Sequence, residues 1–332
     1  MENAETIVFL YSASHVPDLV RDAAMKQVPS GFRLELCESA TDAGTRRDRV
    51  AEADYLMLYG VGFDDVDVAD RVRLLQILSA GYDRLDVPAL TAKGIPLATN
   101  GGANAPTVAE HTLMLMLAVY RKLPLHHGEL VGGNWLGHRE ALRMFELRGK
   151  RVGIVGFGKI GREVARMARG FLAEPVYVDV MAADPDVERE LGARRVELDE
   201  LLATSDIVTL HTPLTEGSRG LINAATFRAM KSSSVLINTS RGEIVVEDDL
   251  VEALRSGEIA GAGLDVFQTE PLGASPLAAM DTVVMTPHTA GTTIDTWWRR
   301  LDFAFGNIRR VSTGEAPGFV VNPDYASSSG QS

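Results

Sequence analysis

Residues 151–161 read Arg151-Val-Gly-Ile-Val155-Gly156-Phe157-Gly158-Lys159-Ile160-Gly161, and Arg162 to Arg169 continues as a helix-forming run. A short apolar strand entering G-x-G-x-x-G and then a helix is the setting in which that spacing binds a dinucleotide. The first glycine permits the tight turn, the second lets a pyrophosphate approach the backbone, and the third lets helix and strand pack closely. The helix N-terminus then faces the phosphates. Asp179 falls at the end of the next strand, eighteen residues after Gly161, where a carboxylate can accept the two hydroxyls of an adenine ribose. The stretch therefore predicts an NAD site. Asp179 would repel a 2′-phosphate and Val180-Met181 offers no arginine to receive one, so NAD is expected over NADP. Gly60-Val-Gly62 also follows a strand, but it lacks the third glycine, precedes Asp64-Asp65, and reads as an ordinary loop.

The motif stands at the head of one of two α/β series. Upstream, β-rich runs at Ile7–Tyr11, Leu34–Cys37, Tyr55–Tyr59 and Leu74–Leu78 alternate with helical stretches, which predicts a parallel sheet. From the motif onward, strands are expected at Arg151–Val155, Val176–Val180, Ile207–His211, Val235–Thr239, Gly263–Val266 and Val283–Thr286. The expected fold is α/β, with two doubly wound parallel-sheet domains of Rossmann or flavodoxin-like kind and an active-site cleft between them. Residues 1–102 with 293–325 would form a discontinuous substrate domain, through a long helix at Ile294–Val311. Residues 103–292 would form the NAD domain, and the Ser/Gly-rich tail 326–332 should be disordered.

Between the two series, Thr107 to Arg121 is helical in length and apolar on nearly every face, so it should be buried all round as an interdomain or intersubunit helix. The following arm, Leu123 to Glu146, is rich in Gly and His yet carries Leu130, Trp135, Leu142, Met144 and Phe145, too long and apolar for an idle connector. A homodimer through 107–146 is expected, because aromatic anchors of this kind are enriched at interfaces.

Composition narrows the rest. The 332 residues carry 33 Lys and Arg against 45 Asp and Glu, a net charge of −12 that argues against a broad nucleic-acid or anionic-membrane surface. The one cysteine, Cys37, forms no internal disulfide or thiol-based metal site. With no basic n-region at the start and no apolar run long enough to span a bilayer, a soluble cytoplasmic protein is expected. No His/Asp/Glu cluster has metal spacing, so no metal is expected.

Several further motifs occur in order: Ala80-Gly-Tyr-Asp-Arg-Leu-Asp86, Asn104 with Thr107-Val-Ala-Glu-His111, Asn238-Thr-Ser-Arg-Gly242, Gly263-Leu-Asp-Val-Phe-Gln-Thr-Glu-Pro271 and Thr286-Pro-His-Thr-Ala-Gly291. Together with the glycine motif they resemble the D-isomer-specific 2-hydroxyacid dehydrogenase family from about residue 54 to 322, and only weakly over the first fifty residues. The resemblance implies an NAD-dependent enzyme interconverting 2-oxo acids and D-2-hydroxy acids, with Arg241, Glu270 and His288 doing the chemistry. It also implies that the amides of Ala80 and Gly81 meet the substrate carboxylate, with Tyr82 and Asn104 nearby. Thr107, Thr239 and Asp265 match positions beside the pyrophosphate or nicotinamide side of NAD, and Ser240 and Gly291 fall within the same motifs. His211-Thr212-Pro213 should border the NAD ribose through its backbone.

The residues themselves lead to the same three. Each lies just past an expected strand end, the edge where open α/β sheets place ligands. A 2-oxo acid needs a fixed cation for its carboxylate and polarised carbonyl, and Arg241 stays charged at every relevant pH. Hydride delivery to C2 leaves charge on oxygen, so a proton donor working near neutrality is needed, which is histidine's range, and His288 takes that role. Glu270 is placed to stabilise the imidazolium. His15, His111, His126, His127 and His138, and the side chain of His211, read as structural or solvated.

Formate-oxidising relatives usually carry Gln at the position of Glu270, and phosphite-oxidising relatives carry Lys at the position of Ala80, so both activities are disfavoured. An NAD(H)-sensing, corepressor-like binding protein is the rival from another class. NADH turnover with any 2-oxo acid separates the two. The loops expected to line the substrate's side chain, Ser12–His15 and Val61–Phe63, hold no Arg or Lys, which disfavours a second anionic group on the substrate. The segment Asp295-Thr-Trp-Trp-Arg-Arg300 departs from generic members of the family and assigns no substrate.

Overall fold

The structure, a computed structural model, describes residues 4–328. The chain divides into two compact units, one made of residues up to Asn104 together with those from Thr293 on, the other of Ala105–Thr292. In chain order the first unit contributes β1 (Glu5–Tyr11), α1 (Asp18–Gln27), β2 (Phe32–Glu38), α2 (Ala43–Glu52), β3 (Tyr55–Tyr59), β4 (Leu74–Ile77), α3 (Val87–Ala92) and β5 (Leu97–Ala98). The second contributes α4 (Ala105–Tyr120), α5 (Leu123–Val131), β6 (Arg151–Val155), α6 (Lys159–Gly170), β7 (Glu174–Val178), α7 (Pro185–Leu191), β8 (Arg194–Arg195) and α8 (Leu198–Thr204). It continues with β9 (Ile207–Leu210), α9 (Ala224–Ala229), β10 (Val235–Asn238), α10 (Glu247–Ser256), β11 (Gly261–Leu264) and β12 (Val283–Met285). The chain then re-enters the first unit as α11 (Ile294–Ser312) and α12 (Tyr325–Ser328).

Each unit is built on one parallel sheet, five strands in the order β2-β1-β3-β4-β5 and seven in the order β12-β11-β10-β9-β6-β7-β8. The central strands of both sheets are buried on both faces, which is why they read as near-continuous apolar runs, whereas the edge strands β2 and β8 carry partly or fully exposed charged residues. In β3, Tyr55 and Met57 join one apolar cluster while Leu56 and Leu58 join another. Helix α11 completes the first of these clusters by turning Trp297, Leu301, Ala304, Phe305 and Ile308 inward at helical spacing. A buried polar stitch holds it there: Asn307 Nδ2 donates to Gln76 Oε1 at 2.7 Å, and Gln76 Nε2 donates to Thr99 O at 2.9 Å. Trp297 is therefore a core residue, its ring edge-on to Tyr59 at 4.7 Å, with the buried Arg300 guanidinium over both rings.

Two expectations are corrected. Helix α4 lies on the seven-stranded sheet beside α6, and eleven of its sixteen residues are buried, with Glu110 and Met114 exposed. Within the single chain it is thus not buried all round. The arm opens with a nine-residue helix, α5, none of whose residues is buried. In the tail, 326–328 belong to α12, whose first amide, Tyr325 N, donates to Asn322 O at 3.1 Å, and 329–332 lie outside the described residues. No helix among the described residues is long and apolar enough to cross a membrane.

Candidate active site

The carboxyl ends of the seven-stranded sheet carry the expected cofactor residues. Gly156 follows β6 at φ +94°, and a Cβ there would meet the His211 carbonyl at 2.6 Å, so conformation and space both demand glycine. At Gly161 a Cβ would stand 2.2 Å from Gly156 O, against the turn. Gly158 differs, because a Cβ built on it meets nothing within 4 Å. That open backbone, at the head of a helix capped by no side chain, is the approach a pyrophosphate requires. Lys159 and Ile160 form the first turn of α6. Phe157 turns its ring inward, stacked on Tyr177 at 3.8 Å, and offers its amide instead: Phe157 N donates to Asp179 Oδ2 at 2.6 Å. Met181 N donates to Asp179 Oδ1 at 3.1 Å, so both carboxylate oxygens are oriented before any ribose arrives. These residues fit NAD.

His211-Thr212-Pro213 runs beside that turn, with His211 N donating to Val155 O at 2.7 Å and Ser240 Oγ donating to Thr212 O. The His211 side chain points into protein: Nε2 lies 2.9 Å from Thr209 Oγ1, and Nδ1 is buried without a hydrogen-bond partner among the described residues. Burial pushes its pKa down to about 3, so the ring is neutral.

The expected catalytic residues follow β10, β11 and β12. Arg241 is held by its backbone, with Asn238 Nδ2 donating to Arg241 O at 2.9 Å, and its guanidinium donates to Ser240 O at 2.7 Å. Next to it a Cβ on Gly242 would stand 1.9 Å from the Phe267 carbonyl carbon, so only glycine lets the Arg241 turn press against the loop that carries Glu270. Glu270 divides its oxygens: Oε1 accepts from Phe267 N at 3.1 Å, and Oε2 lies 2.7 Å from His288 Nδ1. A carboxylate only accepts, so Nδ1 carries the proton, and Nε2 is the nitrogen left for exchange on a half-exposed ring.

Asp265 fixes the histidine's segment. It is fully buried, and its carboxylate accepts from Thr286 Oγ1 at 2.6 Å, Thr289 N at 2.9 Å and Ala290 N at 2.8 Å, while its carbonyl accepts from His288 N at 2.8 Å. His111 on α4 closes the cluster, Nε2 2.9 Å from Thr286 Oγ1 and 3.6 Å from Asp265 Oδ1, with burial holding its pKa below the usual histidine range. The sequence reading set His111 aside as structural or solvated. The position is one helical turn beyond Thr107 on α4, and that was the available signal. Thr107 and Thr239 are buried, and Thr239 Oγ1 lies 3.0 Å from Thr112 Oγ1. Gly291 closes the same segment after Ala290.

One omission lies at Asp179. Val180 and Met181 do point to solvent, but Arg195, from the adjacent edge strand, donates to Asp179 O at 2.9 Å. An arginine therefore stands where the local sequence offered none. In the first unit, Ala80, Gly81 and Tyr82 follow β4 in a loop tied by Ser79 Oγ donating to Gly81 O at 2.8 Å. Asn104 is buried and accepts from Asn100 Nδ2 at 3.0 Å, while Asn100 N donates to Ser79 O at 3.1 Å. Among the described residues no three His, Cys, Asp or Glu side chains gather as a metal-ligating group.

Residues 113–290 match the D-isomer specific 2-hydroxyacid dehydrogenase NAD-binding domain. A glyoxylate reductase of Korarchaeum cryptofilum is 33% identical over 313 residues, 92% of this chain and 94% of that one. The chain belongs to the D-isomer specific 2-hydroxyacid dehydrogenase family. It is an NAD-dependent oxidoreductase of that family. Solved structures agree: the apo D-mandelate dehydrogenase of Rhodotorula graminis has a TM-score of 0.86 at 27% identity over 96% of this chain and 98% of that one. The D-lactate dehydrogenase of Lactobacillus jensenii, solved with NAD+, has a TM-score of 0.79 at 26% identity, covering 95% and 99%.

Proposed function

We propose that this 2-hydroxyacid dehydrogenase reduces a 2-oxo acid to the D-2-hydroxy acid, or runs the reverse oxidation, with His288 as the proton donor and acceptor. The observation that carries the proposal is the 2.7 Å contact between His288 Nδ1 and Glu270 Oε2. It commits one ring nitrogen to a carboxylate and leaves Nε2 to give its proton to the C2 oxygen. Bound nicotinamide supplies the hydride that goes to C2. Glu270 stabilises the imidazolium while the proton waits. Arg241 binds the substrate carboxylate and polarises the carbonyl, a task that suits the planar paired donors of guanidinium. The family resemblance adds the amides of Ala80 and Gly81, with Tyr82 and Asn104, to carboxylate recognition. On the cofactor side we assign the turn 156–161, Asp179, the backbone of His211-Thr212-Pro213, and Thr107, Thr239, Ser240, Asp265 and Gly291.

The similar proteins are named for glyoxylate, D-mandelate and D-lactate, whose side chains differ in size, so the substrate's side chain is settled by trial. Following NADH oxidation with glyoxylate, hydroxypyruvate, pyruvate, and larger branched or aromatic 2-oxo acids should give turnover with at least one. NADH that binds tightly yet is consumed with none of them would instead mark a coenzyme-sensing protein.

We also propose a homodimer through 107–146. Support comes from an open apolar groove lined by Leu113, Met114, Leu117, Leu123, Met167 and Phe171, and from Trp135 and Leu142 on the arm, 81% and 97% exposed. Apolar surface of that extent marks an interaction face.

A further inference from the structure

We propose that Arg195 is a 2′-phosphate subsite, which admits NADPH to this chain and limits the preference for NADH that Asp179 imposes. The proposal rests on the assignment of Asp179 to the adenosine ribose. Tyr177 and Arg195 are paired residues of the parallel strands β7 and β8, so their side chains share one face of the sheet. Asp179, two residues beyond Tyr177, follows at the strand end. The geometry agrees, because Arg195 reaches past the end of β7 and places a guanidinium nitrogen 2.9 Å from Asp179 O.

Of the neighbouring arginines, Arg194, Arg189 and Arg166 pair with carboxylates, Glu200 at 2.8 Å, Asp186 at 2.7 Å and Glu163 at 2.6 Å, while Arg162 and Arg169 donate to the carbonyls of Phe157 and Glu190. Arg195 differs from both sets in lying at the Asp179 strand end with no carboxylate partner among the described residues. Among the described residues its guanidinium donates to the Asp179 carbonyl and makes no ion pair with a carboxylate, so further N–H donors of its fork remain for a ligand at the Asp179 strand end. A nucleotide carrying a phosphate on O2′ brings that dianion next to Asp179, and a fork of charged donors within one residue's reach is the group that offsets the repulsion. Val180 and Met181, 96% and 76% exposed, leave the outer side of the loop uncovered for the extra phosphate. The loop itself is braced independently of Arg195, since Ala183 N donates to Tyr177 Oη at 2.9 Å and Tyr177 Oη donates to Glu188 at 2.6 Å.

The test is calorimetric binding of NADH, NADPH, 5′-AMP and 2′,5′-ADP to wild type, Arg195→Gln, Asp179→Asn and the double variant, with melting temperatures alongside. Arg195→Gln should raise the ratio Kd(NADPH)/Kd(NADH) by about tenfold, the scale of one charged hydrogen-bonded contact at a solvent-open site. The 2′,5′-ADP to 5′-AMP ratio should rise with it. Asp179→Asn should lower both ratios, and adding Arg195→Gln should remove most of that gain. Arg195→Lys should recover part of the effect, since it restores charge without the fork. If NADH and 5′-AMP fail to bind wild type, the coenzyme assignment itself is wrong. If they bind and Arg195→Gln leaves both ratios unchanged, or shifts all four ligands equally with a fall in melting temperature, Arg195 is a loop clip and the subsite is rejected.

Discussion

His288 sits at φ +54°, in a left-handed region that costs a non-glycine residue on the order of 1 kcal/mol. The hydrogen bonds gathered on Asp265 hold it there. Asn tolerates the same conformation but offers no titrating nitrogen, so His288→Asn separates chemistry from backbone. It should lower kcat by about 10² to 10⁴ with NADH Kd little changed, and a variant that keeps near-normal kcat would remove His288 from proton transfer. The other informative histidine at this scale is His211, whose folded pKa is pushed down to about 3 by burial. The unfolded chain takes up a proton below about 6.5 while the folded chain does not, so stability present at neutral pH is lost as the pH falls through that window. Between pH 6 and 4, wild type should lose about 1.4 kcal/mol more per pH unit than His211→Gln in denaturant unfolding. Parallel curves for the two proteins would show that His211 is not buried neutral.

Among elements, the contact between the Arg241 turn and the Glu270 loop is the most exacting. Gly242→Ala places a methyl 1.9 Å from the Phe267 carbonyl carbon, and the obstruction is backbone that cannot rotate aside. The turn must move. With the glycine turn at 156–161 untouched, NADH Kd should rise only modestly, through Ser240, while kcat/KM falls by roughly 10² or more, the usual consequence of a misplacement near 1 Å. Equal losses in coenzyme binding and turnover would mean that the whole unit, not the loop pair, had been disturbed. The strands that place these loops were legible because each is a short, mostly apolar run, β10 between Ser234 and Thr239 and β11 before Asp265. By contrast β5 and β8, at two residues each, carry no pattern, and α5 was hidden by its Gly and His content. Two juxtapositions lay beyond any local reading. Arg195 reaches Asp179 because β8 pairs with β7 at the sheet's edge, and His111 reaches Thr286 across 175 residues because α4 packs on the sheet. Sheet order and helix docking create both, and neither is encoded by spacing along the chain.

At the scale of the whole molecule, the apolar groove beside α4 and the exposed arm bear on assembly. Light scattering after size exclusion at micromolar concentration should give about twice the 35.9 kDa chain mass. Leu123→Asp, in a residue 58% exposed on its own chain, should shift the protein toward monomer with little loss of the chain's own fold. A wild-type monomer at every concentration would reject the proposed dimer. The path of the chain through its two units also fixes an order of events during synthesis. The unit from Ala105 to Thr292 is continuous, so every strand of its sheet has been synthesised before residue 293 is added. The first unit begins earlier and finishes later: β1 to β5 are translated first, yet Trp297, Leu301, Phe305 and Ile308, which cover one face of their sheet, arrive last. Nascent chains halted before α11 therefore leave the apolar face of β1, β3 and β4 uncovered until that helix docks.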